Sequence, residues 1–220
     1  MIIVLLGPPG AGKGTQAKQI QDRYRVAHIS TGDLFRAAQK DNSELGRSVK
    51  QYLESGQLVP DEVTTAMVAK RVEQPDCMNG FMLDGFPRTL PQAAALDKML
   101  IGIGRKLDAV AYFDVTEATA VERLGGRVSC AKCGAGYHEK FMAPRVAGKC
   151  DKCGGELRKR ADDSAETIRE RLAVYERQTS ALIDEYDRRG LLCRVDANRT
   201  PEDVTTAVLG ALDKIALEAR

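Results

Sequence analysis

The sequence predicts an α/β protein built on a parallel sheet, and three observations predict it. A short apolar run, Ile2-Ile3-Val4-Leu5-Leu6, feeds into Gly7-Pro8-Pro9-Gly10-Ala11-Gly12-Lys13-Gly14-Thr15 and then into the helix formers Gln16-Ala17-Lys18-Gln19-Ile20. Strand, glycine-rich turn and helix in that order make the context of a phosphate-binding loop. Further apolar runs near 28–30, 80–84, 108–114 and 191–195 are separated by helical patterns, the rhythm of β-α crossovers in a sheet of five strands. Two Cys-x-x-Cys pairs, Cys130/Cys133 and Cys150/Cys153, sit in a stretch poor in large apolar residues and mark a separate, metal-held insertion.

In the loop, glycines let successive backbone N–H groups turn inward with no Cβ in the way. The helix that follows adds partial positive charge at the same point, and Lys13 adds a full one. Position 14 is Gly, so the hydroxyl of the general G-x-x-x-x-G-K-[ST] pattern arrives one residue late, at Thr15. The plainer alternative is a turn that binds nothing, but a lone lysine among four glycines has no packing purpose.

The chain has 220 residues, room for one full core plus a small insertion. Lys plus Arg is 33 against 31 for Asp plus Glu, so no general field attracts nucleic acid, and an anionic substrate must be held by locally placed cations. The opening apolar run is too short for a membrane span and lacks a basic leader, which predicts a cytoplasmic protein with no membrane contact.

Taken in order, Thr31-Gly32-Asp33-Leu34-Phe35-Arg36 opens a helix, with Thr31 and Asp33 as caps and Arg36 one turn in. His28 reads as packed or solvated. Helices are predicted over 44–55 and 61–74, broken by Gly56-Gln57-Leu58-Val59-Pro60, with Asp61 capping the second. Helices following one another without a strand suggest a helical insertion at 30–59. The run 80–84 ends in Asp84 and is followed by Gly85-Phe86-Pro87-Arg88. Ligands of open parallel sheets bind beyond the carboxyl ends of the strands, where an acid can hold Mg²⁺ or its water shell. Asp114 ends the 108–114 run in the same way, but Val115-Thr116-Glu117 follows it, so it reads as turn and cap.

Helices follow over 90–100, with Pro91 just inside, and over 116–124, which ends at Gly125-Gly126 between Arg123 and Arg127. Those two arginines are either a solvated pair or phosphate ligands on a flexible joint. The cysteine pairs are sixteen residues apart, the spacing of a four-thiolate zinc site with no open position, hence structural. Asp163 with Glu166 resembles a capping box, and the long helix to about 189 has Ile168, Leu172 and Tyr175 on its inward stripe. Arg171 falls on that stripe and needs an acid or a bound phosphate. A last strand at 191–195 and a helix at 201–216 close the chain. Cys77 and Cys193 have no metal spacing and read as buried small hydrophobes.

Together these motifs resemble the adenylate kinase family, in its long, zinc-containing bacterial form, over essentially the whole chain. The carrying residues are Gly7 to Thr15, Ser30 to Arg36, Asp84 to Arg88, Gln92, Arg123 to Arg127, and Asp162-Asp163 with Arg160 and Arg171. The family's phosphate loop, GxPGxGKGT, accounts for the late Thr15.

The resemblance implies the P-loop nucleoside monophosphate kinase fold. Its core comprises 1–29, 60–125 and 164–220, with an AMP-binding insertion at 30–59 and a zinc-binding lid at 126–163. It implies the reaction ATP + AMP ⇌ 2 ADP with Mg²⁺ and structural Zn²⁺, in a monomer. Gly10, Ala11, Gly12, Lys13, Gly14 and Thr15 are then the seat of the ATP phosphates. Arg123, Arg127, Gly136, Tyr137 and Arg199 complete the ATP site. AMP falls to Thr31, Arg36, Gln57, Leu58, Val59, Gly85, Phe86, Pro87, Arg88 and Gln92, with Arg160 and Arg171 clamping phosphates from the lid side. The catalytic set is Lys13, Asp84, Arg88, Arg123, Arg127, Arg160 and Arg171, and the metal ligands are Cys130, Cys133, Cys150 and Cys153. Two rivals remain: a kinase for UMP or CMP, which tends to carry Asn where Gln92 stands, and a nucleotide-regulated zinc-ribbon binding module without turnover.

Overall fold

All five residues of β1 (Ile2–Leu6) are buried in the computed structural model, which describes residues 1–39 and 44–218. A strand covered on both faces is apolar at every position, and β1 is the middle of a five-stranded sheet. Along the chain the strands are β1, β2 (Ala27–Ser30), β3 (Phe81–Asp84), β4 (Ala109–Asp114), β5 (Arg127–Cys130), β6 (Gly136–His138), β7 (Leu157–Lys159) and β8 (Leu192–Asp196). The helices are α1 (Lys13–Tyr24), α2 (Thr31–Ala38), α3 (Glu44–Ser55), α4 (Asp61–Val72), α5 (Leu90–Gly102), α6 (Glu117–Gly125), α7 (Ala165–Val174), α8 (Ala181–Arg188) and α9 (Pro201–Glu218).

The main sheet has the order β2-β3-β1-β4-β8, with every pairing parallel. The chain leaves β1 toward one edge and later crosses to fill the other, and in open parallel sheets ligands bind beyond the carboxyl ends of the strands at such a switch in order. Side chains alternate across the sheet. Ile2, Val4 and Leu6 pack on one face with Leu96 and Leu100 of α5 and Leu182 and Tyr186 of α8. Ile3 and Leu5 pack on the other with Ala17 and Ile20 of α1 and Val208 and Leu212 of α9.

Two smaller clusters stand apart from this core. Phe35, Val49 and Val59 gather with Tyr52, Leu53, Val63 and Met67 around the stretch read as a helical insertion, of which 40–43 lie outside the described residues. The second cluster centres on Cys130, Tyr137 and Cys150, inside an antiparallel sheet of order β6-β5-β7. Among the described residues no helix is long and apolar enough to cross a membrane.

Several local readings change. The helix expected to run to 189 is α7 and α8 joined by a π-helical turn, Tyr175–Thr179. The cap of α7 is Ser164, whose hydroxyl accepts the Thr167 N–H at 3.1 Å; Asp163 is engaged by arginines instead. Ser30, rather than Thr31 or Asp33, caps α2, accepting from Asp33 N–H at 3.3 Å. Pro60 occupies the cap position of α4, because the Asp61 carboxylate is drawn across to α5. Thr116 caps α6 in place of Asp114. Cys193 is half-buried, while Cys77 is buried.

Candidate active site

The loop after β1 hands the chain to α1 with the helix N-terminus bare. Gly12, at φ +86°, is the cap residue, no side chain caps the first turn, and no acid lies in it. The Thr15 N–H turns back to the Gly12 carbonyl at 3.0 Å, and the first-turn N–H groups of Lys13 and Gly14 make a ready anion site. Gly10 has φ +86°, and a Cβ there would lie 2.5 Å from the Ala120 carbonyl oxygen, so only glycine lets the loop pass so close to α6. Lys13 folds over this loop, its Nζ donating to the Gly7 and Pro8 carbonyls at 2.7 and 2.9 Å. Burial pulls its pKa down to about 8, against the attraction of Asp84 and with the repulsion of Arg88, Arg171 and Arg127.

Asp84 ends β3 in register with Leu5 of β1, beside the loop. Its Oδ2 is 3.9 Å from where a Cβ on Gly14 would stand. Burial pushes its carboxyl upward, but the contact with His28 and the charges of Lys13 and Arg88 outweigh this and hold it below the ordinary range. His28 Nε2 lies 3.5 Å from Asp84 Oδ2, so the histidine read as bland touches the site's acid. Asp114 is exposed at the end of β4.

On the Asp84 side, the Thr31 hydroxyl donates to the Gly85 carbonyl at 3.0 Å, and Arg88 Nε donates to the same oxygen at 2.9 Å. Gly85 has φ +82°, and a Cβ on it would overlap Thr31 Oγ1 at 2.6 Å. Phe86 and Pro87 are buried, with a cis peptide between them. Gln92 is buried and bonded at both ends of its amide, to Arg88 N–H and to Asp61. Arg36 pairs with Asp33 at 2.6 Å. Gln57 donates to Glu170 at 2.8 Å, Val59 is buried and Leu58 is half-buried, so of this segment Val59 faces the small apolar cluster.

The remaining arginines come from the cysteine module and its joints. Arg123 Nη2 donates to the Arg199 carbonyl at 3.3 Å, while the Arg199 side chain pairs with Asp196. Arg127 holds Asp163 through Nε and Nη2 at 2.7 and 2.6 Å. Arg171 bonds Asp162 and Asp163 at 2.9 and 3.0 Å, so its need for a partner is met by acids. Arg160 Nε donates to Ser129 Oγ at 2.7 Å. Burial lowers Arg88 and Arg160 to about 10, helped by repulsion from Arg171 and Arg127 respectively. Lys13, Asp84, Arg88, Arg127 and Arg171 thus share one electrostatic neighbourhood, and Arg160 and Arg36 join it through Asp162.

The four cysteine sulfurs lie within 4.8 Å of one another, and the Cys130–Cys153 and Cys133–Cys150 pairs are each 3.5 Å apart. That is far beyond a disulfide and suits a tetrahedral ion with sulfur ligands about 2.3 Å away. Gly134 and Gly154, at φ +74° and +68°, turn the two knuckles. The Tyr137 hydroxyl accepts the Asp151 N–H at 2.8 Å and meets Cys150 Sγ at 3.5 Å, which draws the Cys150 thiol down to about 6. Its ring therefore belongs to the cysteine cluster, leaving the main chain of Gly136 and Tyr137 for any nucleotide contact.

His28, Ser129 and Asp61 also touch these residues, and local sequence gives none of them a role in the site. Asp61 looked like a helix cap, and a partner 31 positions away in the chain leaves no trace in local spacing.

The description "Adenylate kinase" belongs to the family model that matches residues 5–191. The chain belongs to the adenylate kinase family. It is 52% identical to the adenylate kinase of Carboxydothermus hydrogenoformans over 214 residues, covering 97% of this chain and 100% of that one. The enzyme named adenylate kinase in Agathobacter rectalis is 52% identical over 212 residues, 96% and 99% of the two chains. That of Archaeoglobus fulgidus is 49% identical over 215 residues, 98% and 99%. As a member of the adenylate kinase family, this chain is a phosphotransferase that interconverts ATP plus AMP with two ADP.

Proposed function

We propose that the crevice beyond β1 and β3 carries out ATP + AMP ⇌ 2 ADP by direct transfer between two bound nucleotides. The observation that carries this reading is that Lys13 lies beside Asp84 and within the field of Arg88, Arg171 and Arg127, the last two held by Asp162 and Asp163. Burying several cations together is costly unless anions join them; Asp84, Asp162 and Asp163 offset part of this charge, and two facing nucleotides supply further anions.

The amides of Gly10 to Thr15 and Lys13 hold the ATP phosphates, with Arg123 and Arg127 alongside. The main chain near Gly136, Tyr137 and Arg199 lines the base. Thr31, Arg36, the 57–59 segment, Gly85 to Arg88 and Gln92 hold AMP, and Arg160 and Arg171 clamp the phosphates between the two. An oxygen of the AMP phosphate attacks the γ-phosphorus, the bond from that phosphorus to the β-bridging oxygen breaks, and ADP leaves. The AMP phosphate is already an anion at neutral pH, so no general base is needed; positioning and charge neutralisation supply the rate. Asp84 is placed to hold Mg²⁺ or its water shell, and the ion adds charge neutralisation when bound with ATP.

Cys130, Cys133, Cys150 and Cys153 fit a structural Zn²⁺, since four sulfurs leave no open position. The module at 126–163 then moves as one lid about Gly125-Gly126, excluding water so that ATP is not hydrolysed; lid closure of this kind is a general description of adenylate kinase. The helical stretch 30–59 is the AMP-binding insertion. A cytoplasmic monomer that meets neither membrane nor nucleic acid is in keeping with the balanced charge.

Incubating the protein with ATP, Mg²⁺ and each of AMP, UMP, CMP and GMP, and counting diphosphates, tests this. AMP is expected to give two ADP per ATP. UDP or CDP as the dominant product indicates a pyrimidine kinase, and nucleotide binding without product indicates a regulated binding module.

A further inference from the structure

Gln92 is 2% exposed, yet both ends of its amide are engaged. Oε1 accepts the Arg88 backbone N–H at 2.8 Å, and Nε2 donates to Asp61 Oδ1 at 2.7 Å. The other oxygen of Asp61 accepts the Thr89 hydroxyl at 2.7 Å, so this carboxylate ties the start of α4 to the start of α5. A backbone N–H can only donate and an ionised carboxylate can only accept. The Gln92 amide therefore has one orientation. Turning it over sets donor against donor and acceptor against acceptor, and loses both bonds in a buried place. One N–H on Nε2 and one lone pair on Oε1 are left over for a ligand.

We propose that Asp61 is a positioning residue that locks the Gln92 amide in one sense and so makes the monophosphate site select a 6-aminopurine over a 6-oxopurine. This rests on the reading of Gln92 as the residue that faces the AMP base. Adenine carries an N6 amino donor beside ring-nitrogen acceptors, whereas a 6-oxopurine carries an acceptor at O6 and a donor at N1. An amide free to turn over suits either base. An amide fixed with oxygen on one side and N–H on the other suits one and leaves the other with mismatched groups, the arrangement that gives strong discrimination.

The test compares kcat/KM for AMP and for IMP, which differs at position 6 and N1 without added bulk, in the wild type and in Asp61→Asn, Asp61→Glu and Gln92→Ala. Asp61→Asn keeps the shape, but its own amide can rotate to accept or to donate, which removes one of the two locks. The AMP value is expected to fall about tenfold, mainly through KM, with IMP unchanged or improved, so that the ratio narrows. Asp61→Glu, which keeps the carboxylate, restores part of the ratio. Should Asp61→Asn prove insoluble, Asp61→Ser is expected to narrow the ratio likewise. Equal losses for AMP and IMP in the neutral variants overturn the inference and leave Asp61 as a tie between helices. An AMP-to-IMP ratio unchanged in Gln92→Ala overturns the reading of Gln92 itself, whatever Asp61 does.

Discussion

Asp163 meets Arg127 through both carboxylate oxygens, at 2.6 and 2.7 Å, and its side chain is 2% exposed. The same carboxylate reaches Arg171 at 3.0 Å, so one buried acid is shared by two of the cations assigned to phosphate. Removing one partner of a buried pair leaves the rest uncompensated. With Arg127 about a quarter exposed, Asp163→Ala is expected to cost about 2–3 kcal/mol, a melting-temperature loss of roughly 4–12 °C for a chain of this size. Saturating ATP should recover part of that loss, because its phosphates replace the missing anion. A melting curve that ATP shifts no more in the variant than in the wild type counts against this exchange of partners.

Lys13 makes the pH dependence specific. Its pKa in the folded protein is about 8, against an ordinary value of 10.5. Between those values the unfolded chain holds a proton that the folded chain has released, so this group's contribution to stability rises with pH across that window. Binding has the opposite sign: phosphate oxygens favour the charged amine, so ATP binding at pH 9 should take up a proton. Affinity for ATP should weaken above pH 8 by up to about tenfold per pH unit from this group. Calorimetry at pH 9 in two buffers of different ionisation enthalpy reads the uptake directly. Equal heats in both, or an unchanged uptake in Lys13→Ala, argue against it.

With zinc proposed at the four cysteines, Cys150→Ser is expected to lose bound metal and melt earlier. A structural zinc contributes on the order of 10 kcal/mol of local folding free energy, and the cluster it serves holds few large side chains. Metal analysis and calorimetry of the wild type and the variant decide the matter; unchanged metal content and melting temperature rule out the structural role.

Gly10→Ala places a methyl 2.5 Å from the Ala120 carbonyl oxygen at a backbone angle of +86°. The loop must shift, and the expected cost is about 1–3 kcal/mol together with a rise of at least about tenfold in KM for ATP. A variant with wild-type KM would show that the loop's close pass against α6 is dispensable.

Much of this molecule was legible in its sequence because its strands are buried on both faces, and continuous apolar runs such as Ile2–Leu6 announce that. The phosphate loop and the cysteine pairs were legible because their chemistry is local: glycine, lysine and thiol recur at fixed short spacings. What could not be read is what depends on chain segments meeting. Asp163 and Asp61 both carry the local look of helix caps, and both are used elsewhere because arginines or an amide from distant elements compete for the carboxylate. His28 gave no sign of touching Asp84, since that contact exists only once β2 pairs with β3. The Tyr137 hydroxyl meets Cys150 and the Asp151 amide within the small module, a pairing that local spacing does not announce.

The most direct measurement follows the label of ATP carrying an isotopic γ-phosphate, with AMP and Mg²⁺ present. The account predicts that the label appears in the β-phosphate of ADP formed from AMP, that inorganic phosphate stays at background, and that Lys13→Ala abolishes the transfer while its melting temperature stays close to that of the wild type. Label released as inorganic phosphate, or transfer that survives in Lys13→Ala, contradicts direct passage between two nucleotides in this crevice.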